Sequence, residues 1–141
     1  KSMESMCQSF GTFAEQLEMK GLEGWDVSNV NKMNMAFGYV AYNAKGPVTI
    51  GDLSSWDVSN VTDMGRAFSD VGHYTTDFKL SGFEKWNTAN VTDMSRMFLR
   101  TGKYDPDWHL DLSDWDVSNV TLHDEFNLEV ESQITPPNWV K

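Results

Sequence analysis

The sequence predicts an α/β repeat: a short right-handed solenoid of about four to five coils of ~30 residues, each with a short strand, a polar turn and a short helix. Three observations carry that expectation. The phrase Trp-Asp-Val-Ser-Asn-Val occurs at 25–30, 56–61 and 115–120, and a fourth copy reads Trp86-Asn87-Thr88-Ala89-Asn90-Val91. The four Trp are separated by 31, 30 and 29 residues. Each Trp follows a stretch of period-two apolar residues and precedes apolar residues at helical spacing. The right hand rests on the general preference of crossover connections.

The chain opens on a partial copy, 1–21, in which Met3, Met6 and Phe10 take the spacing of the later Val, Met and Phe positions. Full copies are expected over 22–47, 48–77, 78–107 and 108–127, with a cap over 128–141, all in one domain. A strand signal precedes each Trp: Leu17-x-Met19, Val48-x-Ile50, Phe78-x-Leu80 and Trp108-x-Leu110 alternate apolar and polar residues. The fourth copy is one residue shorter between Leu110 and Leu112, so a bulge is expected in the first three and not in the last.

Asp-Val-Ser-Asn, between Trp and Val, is turn chemistry, because Asp, Ser and Asn side chains bond nearby backbone. Asn29, Asn60, Asn90 and Asn119 recur at one place and should form a ladder between copies. Val61, Met64 and Phe68, and the matching Val91, Met94 and Phe98, predict one face of a short helix. Asn60 or Thr62 would cap it, with Asp63 and Asp93 in the first turn. The last copy has His123 and Asn127 at the Met and Phe places, and Phe126 one place early. Thr135-Pro136-Pro137-Asn138-Trp139 then reads as a stop.

Composition narrows the partners. The net charge is −10, which opposes binding to nucleic-acid phosphates and adhesion to anionic lipid. A hydrophobic fraction of 40% supports a core. There is one cysteine, Cys7, so no disulfide framework is possible within the chain. No long apolar run predicts membrane insertion. Lys1 in place of an initiator Met reads as the start of a mature or excised segment.

The stretch 53–68, Leu-Ser-Ser-Trp-Asp-Val-Ser-Asn-Val-Thr-Asp-Met-Gly-Arg-Ala-Phe, resembles the repeat of the BspA-like surface proteins, the DUF285 repeats. The stretch 83–98, ending Asn90-Val91-Thr92-Asp93-Met94-Ser95-Arg96-Met97-Phe98, matches that style more closely. The resemblance covers roughly residues 1–127 and includes polar as well as apolar positions. It implies an irregular, leucine-rich-repeat-like solenoid on a bacterial surface or secreted protein, with a role in adhesion or recognition. No catalytic residues carry over. The copies here are longer than the family's commonest unit, and the fourth loses its Met and Phe. Those departures point to specialised connectors and to a domain end.

Candidate sites follow from what the copies do not share. Connectors 38–43, 71–77 and 101–107 are rich in aromatic and polar residues, and Gly-x-Tyr recurs in the second and third. Loops inserted between repeats collect on one face, where binding often occurs. Tyr42, His73, Tyr74, Tyr104 and Trp108 are therefore the expected ligand-binding residues. The alternative is that Tyr74 and Tyr104 only pack under their loops. The repeated Trp fit a stacked core better than a sugar-binding row. Asp26, Asp57 and Asp116 fit turn caps better than a calcium loop, which needs six to eight oxygens. His73, His109 and His123 lack zinc spacing, and no metal or cofactor is expected. No nucleophile elbow, P-loop or HExxH motif is present, so no catalytic pair is named. The Asn-Val-Thr triplets at 60, 90 and 119 match the glycosylation pattern only as a by-product of the repeat.

The expected function is non-enzymatic recognition, outside the cell or at its surface. The ligand would be a glycan or protein of another cell, held on the loop face or the concave sheet. The chain could serve as the tip of a longer fibre, with weak binding multiplied through a homotrimer of the parent protein. The alternatives are a structural spacer or assembly repeat and, further off, a glycan-active enzyme with two carboxylates flanking a cleft.

Overall fold

The structure is a computed structural model and describes residues 1–139. Its strands are few and short: β1 (Leu17–Glu18), β2 (Val48–Asp52), β3 (Phe78–Ser81), β4 (Leu110–Asp111) and β5 (Ile134–Thr135). β1, β2 and β3 form one parallel sheet, and β4 pairs in parallel with β5 in a second. A single short 3-10 helix, Leu22–Gly24, stands among the described residues. None of them forms an α-helix. The expected α/β solenoid is therefore overturned: the chain is almost entirely turn and loop, with two small parallel sheets.

The segments expected to be helices are trains of tight turns. In the copy at 22–47, Ala36, Gly38, Val40 and Tyr42 donate their N–H to the carbonyls of Met33, Met35, Phe37 and Tyr39, at 2.9, 3.1, 3.1 and 3.2 Å. The residues between them donate to the next copy instead. Met33, Met35, Phe37 and Tyr39 reach the carbonyls of Asp63, Gly65, Ala67 and Ser69 at 2.8, 3.0, 2.8 and 2.9 Å. An α-helix would keep all of these amides inside one element. Here every second amide joins two copies.

This geometry puts non-glycine residues in the left-handed region. Met35, Tyr39 and Ala41 have φ of 57°, 62° and 52°; Arg66, Asp70, Arg96 and Arg100 at the matching places have 55°, 59°, 54° and 54°. Each such residue costs roughly 1–2 kcal/mol. The inter-copy hydrogen bonds and core burial offset that cost. Buried Met33, Ala36, Phe37, Val40, Ala41 and Ala44 fall at the spacing of one helix face. Spacing alone therefore cannot separate this turn train from a helix.

Parallel bridges join Ser2 to Lys32, Lys32 to Asp63, Asp63 to Asp93, and Asp93 to Leu122. They fix the register of every copy. Met3 thereby matches Met33, Met64 and Met94, and Cys7 matches Phe37. The partial copy is thus shifted by three residues from the expected alignment, in which Met6 held the Met place. Of the bulges expected in the first three copies, the strand pairing shows one, in β2 against β3, where Thr49 pairs with Lys79 and Gly51 with Leu80.

Aromatic columns run through the core. Trp25, Trp56, Trp86 and Trp115 stack with centroids 6.3, 6.2 and 6.3 Å apart and planes within 10°. Trp56, Trp86 and Trp115 are buried, and their Nε1–H groups donate to the carbonyls of Leu22, Leu53 and Phe83 at 2.7, 3.0 and 2.8 Å. Phe37, Phe68 and Phe98 form a parallel column at 5.2 and 5.9 Å. The Asn ladder is present: Asn60, Asn90 and Asn119 donate Nδ2–H to the carbonyls of Ser28, Ser59 and Ala89 in the preceding copy, each at 2.7 Å. Asp26, Asp57 and Asp116 accept the amide of the residue two places on, at 3.0, 3.0 and 2.9 Å, as turn caps do. Asp63 and Asp93 cap no helix; they accept the amides of Gly65 and Ser95 in the same way, at 2.9 and 2.8 Å.

The two ends differ. Trp139 stacks on His123 at 4.2 Å and packs edge-on to Phe126 at 5.1 Å, covering the last copy. The first copy leaves Met6, Phe10 and Phe13 exposed by 49%, 54% and 90%.

Candidate functional site

The turn train ends in a connector, and register places the connectors side by side. Thr12, Tyr42, His73 and Lys103 occupy one place, and Phe13, Asn43, Tyr74 and Tyr104 the next. Gly72 and Gly102 start the Gly-x-Tyr segments with φ of 55° and 58°. A Cβ at Gly102 would lie 2.5 Å from the Phe78 ring and 2.9 Å from Trp108, and one at Gly72 would lie 2.7 Å from Phe78. The two glycines thus let the strand-side aromatics press against the connectors. The recurring motif is a packing requirement that also aims the tyrosines outward.

Four of the five expected site residues come together. Tyr42 stacks on His73 at 4.9 Å and meets Tyr74 edge-on at 5.5 Å. His73 contacts Tyr74 and Tyr104 edge-on at 4.4 and 5.5 Å. Tyr74 and Tyr104 stack on each other at 5.6 Å with 13° between planes. They are exposed by 39% and 47%, so they do not lie buried under their loops. Tyr39 joins the group through Tyr42 at 5.8 Å.

Trp108 stands apart from this group. It is buried edge-on against Phe78 at 4.9 Å, and its Nε1–H donates to the Leu80 carbonyl at 2.8 Å. It supports the sheet side of the core.

Charged residues frame the tyrosines. Arg100 Nε lies 2.8 Å from Oδ1 of fully buried Asp70, and Ser69 Oγ donates to Asp70 Oδ2 at 2.7 Å. Lys103 Nζ pairs with Glu129 at 2.5 Å and sits 5.4 Å from the Tyr104 ring centroid. Glu129's hydrogen bond holds the Lys103 ammonium above its ordinary range. His73 is buried, and its Nδ1 lies 3.2 Å from the Arg100 carbonyl, an acceptor, so Nδ1 carries the proton. Burial pushes the His73 pKa down. Burial, followed by the hydrogen bond with Tyr74, pushes the Tyr42 phenol up. Both shifts favour the uncharged forms of His73 and Tyr42, which two paired cations flank.

Gln133 fixes the third connector from below. Its Nε2 lies 3.0, 3.1 and 3.1 Å from the carbonyls of Gly102, Lys103 and Asp105. Sequence reasoning missed Tyr39, Asp70, Arg100, Lys103 and Gln133. Tyr39, Asp70 and Arg100 share one place when the copies are aligned on Trp, but three unlike residue types there carry no common signal; nor does Gln133. Among the described residues, no three His, Cys, Asp or Glu side chains converge to hold a metal ion. No helix of the described residues is long and apolar enough to cross a membrane.

The sequence profile of a family described as "Mycoplasma protein of unknown function, DUF285" matches residues 1–135. No curated protein and no solved structure matches the chain significantly.

Proposed function

This chain belongs to the DUF285 family, and we propose that it is a non-enzymatic recognition module of a bacterial surface or secreted protein. In this reading its connector tyrosines hold a protein or glycan of another cell. The observation that carries the reading is the stacked pair Tyr74 and Tyr104, half-exposed at matching places of consecutive copies. Tyr offers large contact area at low conformational cost, and its hydroxyl adds hydrogen bonds. Backbone bonds between copies hold these rings in place, so little ordering cost remains to be met on binding.

The geometry favours a protein over a glycan at this face. Tyr104 has Tyr74 stacked on its ring and the Lys103 ammonium close to it. With that face of Tyr104 taken, ring edges and hydroxyls are what the pair offers, and these suit a protein loop. The module would sit at the tip of a longer fibre, whose trimeric shaft multiplies weak contacts.

Binding of the fluorescently tagged chain to intact candidate target cells tests the reading. Changing Tyr74 and Tyr104 together to Ala is expected to lower cell-bound signal at least tenfold, with the thermal midpoint nearly unchanged. Equal binding by the variant sinks the proposal. Trp108 is no control here, because its burial makes it a stability position.

The assembly reading has its own support in exposed Met6, Phe10 and Phe13. Light scattering on the chain and on Phe13→Ser would reveal it as a mass above the monomer that the substitution lowers.

A further inference from the structure

The β-sheet is interrupted between β3 and β4, and the interruption creates a cleft. β4 pairs onward with β5, not back with β3. Side chains replace the missing ladder bonds. Phe78 N–H donates to Asp105 Oδ2 at 2.8 Å, and Trp108 Nε1–H donates to the Leu80 carbonyl at 2.8 Å. The shortened stretch before Trp115 lies on the far side of this break. A cavity of about 600 Å³ opens there, reaching from Thr49 to His109. That volume lies within the roughly 300–1,000 Å³ of small-ligand pockets.

We infer that this cleft is a binding site for a neutral, polyhydroxylated ligand, a glycan. The floor is apolar: Phe78, Leu80 and Trp108 line it and are buried. The rim mixes acceptors and donors. Asp52, Asp77 and Asp107 share it with Lys79 and His109, and all five are exposed. The Lys79 ammonium lies 3.7 Å from Asp77. A purely acidic rim would select a cation, but the Lys79 ammonium opposes one. An anion is opposed by the carboxylates. A ligand whose neighbouring hydroxyls both donate and accept, around a body with apolar C–H faces, meets every group of the rim. Asp105 is excluded from the contact set because both its oxygens serve backbone amides, at Phe78 and Asp107.

The cleft is separate from the tyrosine group, so the two sites fail independently. The test is an array of neutral and acidic oligosaccharides probed with the whole chain, followed by NMR titration of each hit. Wild type should retain neutral glycans, with shifts at Thr49, Lys79 and His109. The exposed double variant Asp107→Ala with His109→Ala should weaken binding at least tenfold, while Tyr74→Ala with Tyr104→Ala leaves it unchanged. The inference is overturned if no neutral glycan is retained. It is also overturned if the tyrosine variant loses binding and the cleft variant keeps it. A parallel titration with spermidine covers the cationic case: spermidine shifting the same residues while every neutral glycan fails would equally overturn the proposal.

Discussion

Asp70 and Arg100 stand at the same place in consecutive copies, and their side chains meet at 2.8 Å across the junction. The Asp70 carboxylate is fully buried while Arg100 is one-third exposed. Removing only one partner strands the other charge. Arg100→Met should therefore cost about 3 kcal/mol, the low end for breaking a buried pair, because solvent reaches the arginine. Asp70→Asn with Arg100→Met should recover most of that loss. Urea unfolding of the two singles and the double would show it; an additive double variant would refute the coupling.

The Trp column predicts a position-dependent cost for one substitution. Trp86 is sandwiched between Trp56 and Trp115 and bonded to the Leu53 carbonyl, so Trp86→Ala should lose about 3–5 kcal/mol. Trp25 has only Trp56 stacked on it and is exposed by 39%. Trp25→Ala should lose about 1 kcal/mol, since only part of its surface leaves water. Equal shifts in the urea midpoint would contradict the end effect.

Gly102→Ala should harm more than an exposed glycine change would. The new Cβ would meet Phe78 at 2.5 Å, on a backbone with φ of 58°. Both effects push the connector away from the sheet side. A loss of about 2 kcal/mol or more is expected, with altered near-ultraviolet dichroism from Trp108. An unchanged spectrum and midpoint would show that the connector yields freely.

Stability should fall as pH drops from 7.5 to 5.5, through His73. Its folded pKa is depressed below 6.5, chiefly by burial. Below 6.5 the unfolded chain takes up a proton that the folded chain resists, so unfolding becomes easier. Above that value both states are neutral at this ring, and the contribution is complete. His73→Phe keeps the ring on Tyr42 and should flatten the slope of the denaturant midpoint against pH. A slope equal to wild type would place the effect elsewhere.

Local chemistry was legible where one side chain has one obvious partner. The Asp-x-Ser caps, the Asn ladder and the stacked Trp follow from residues repeated at one spacing. The nearness of Tyr42, His73, Tyr74 and Tyr104 followed from aligning connectors. The turn train was not legible, because Met33, Phe37 and Val40 bury the same face whether each amide bonds within its copy or every second one bonds the next. Nor was Trp108, which packs into the space left by the missing side chain of Gly102. The cleft also escaped, since it arises where Asp105 and Trp108 side chains substitute for backbone pairing.

The uniform register between copies has a consequence for how such genes can change length. Duplicating or deleting one whole unit of 29–31 residues gives new junctions between surfaces that already match. A one-residue slip has no such matching partner, and near the shortened stretch before Trp115 the sheet is divided in two. Recombination in whole units should therefore be tolerated in this lineage far better than small insertions within a strand. The number of units would then change in whole steps, while each unit keeps its own pair of neighbours.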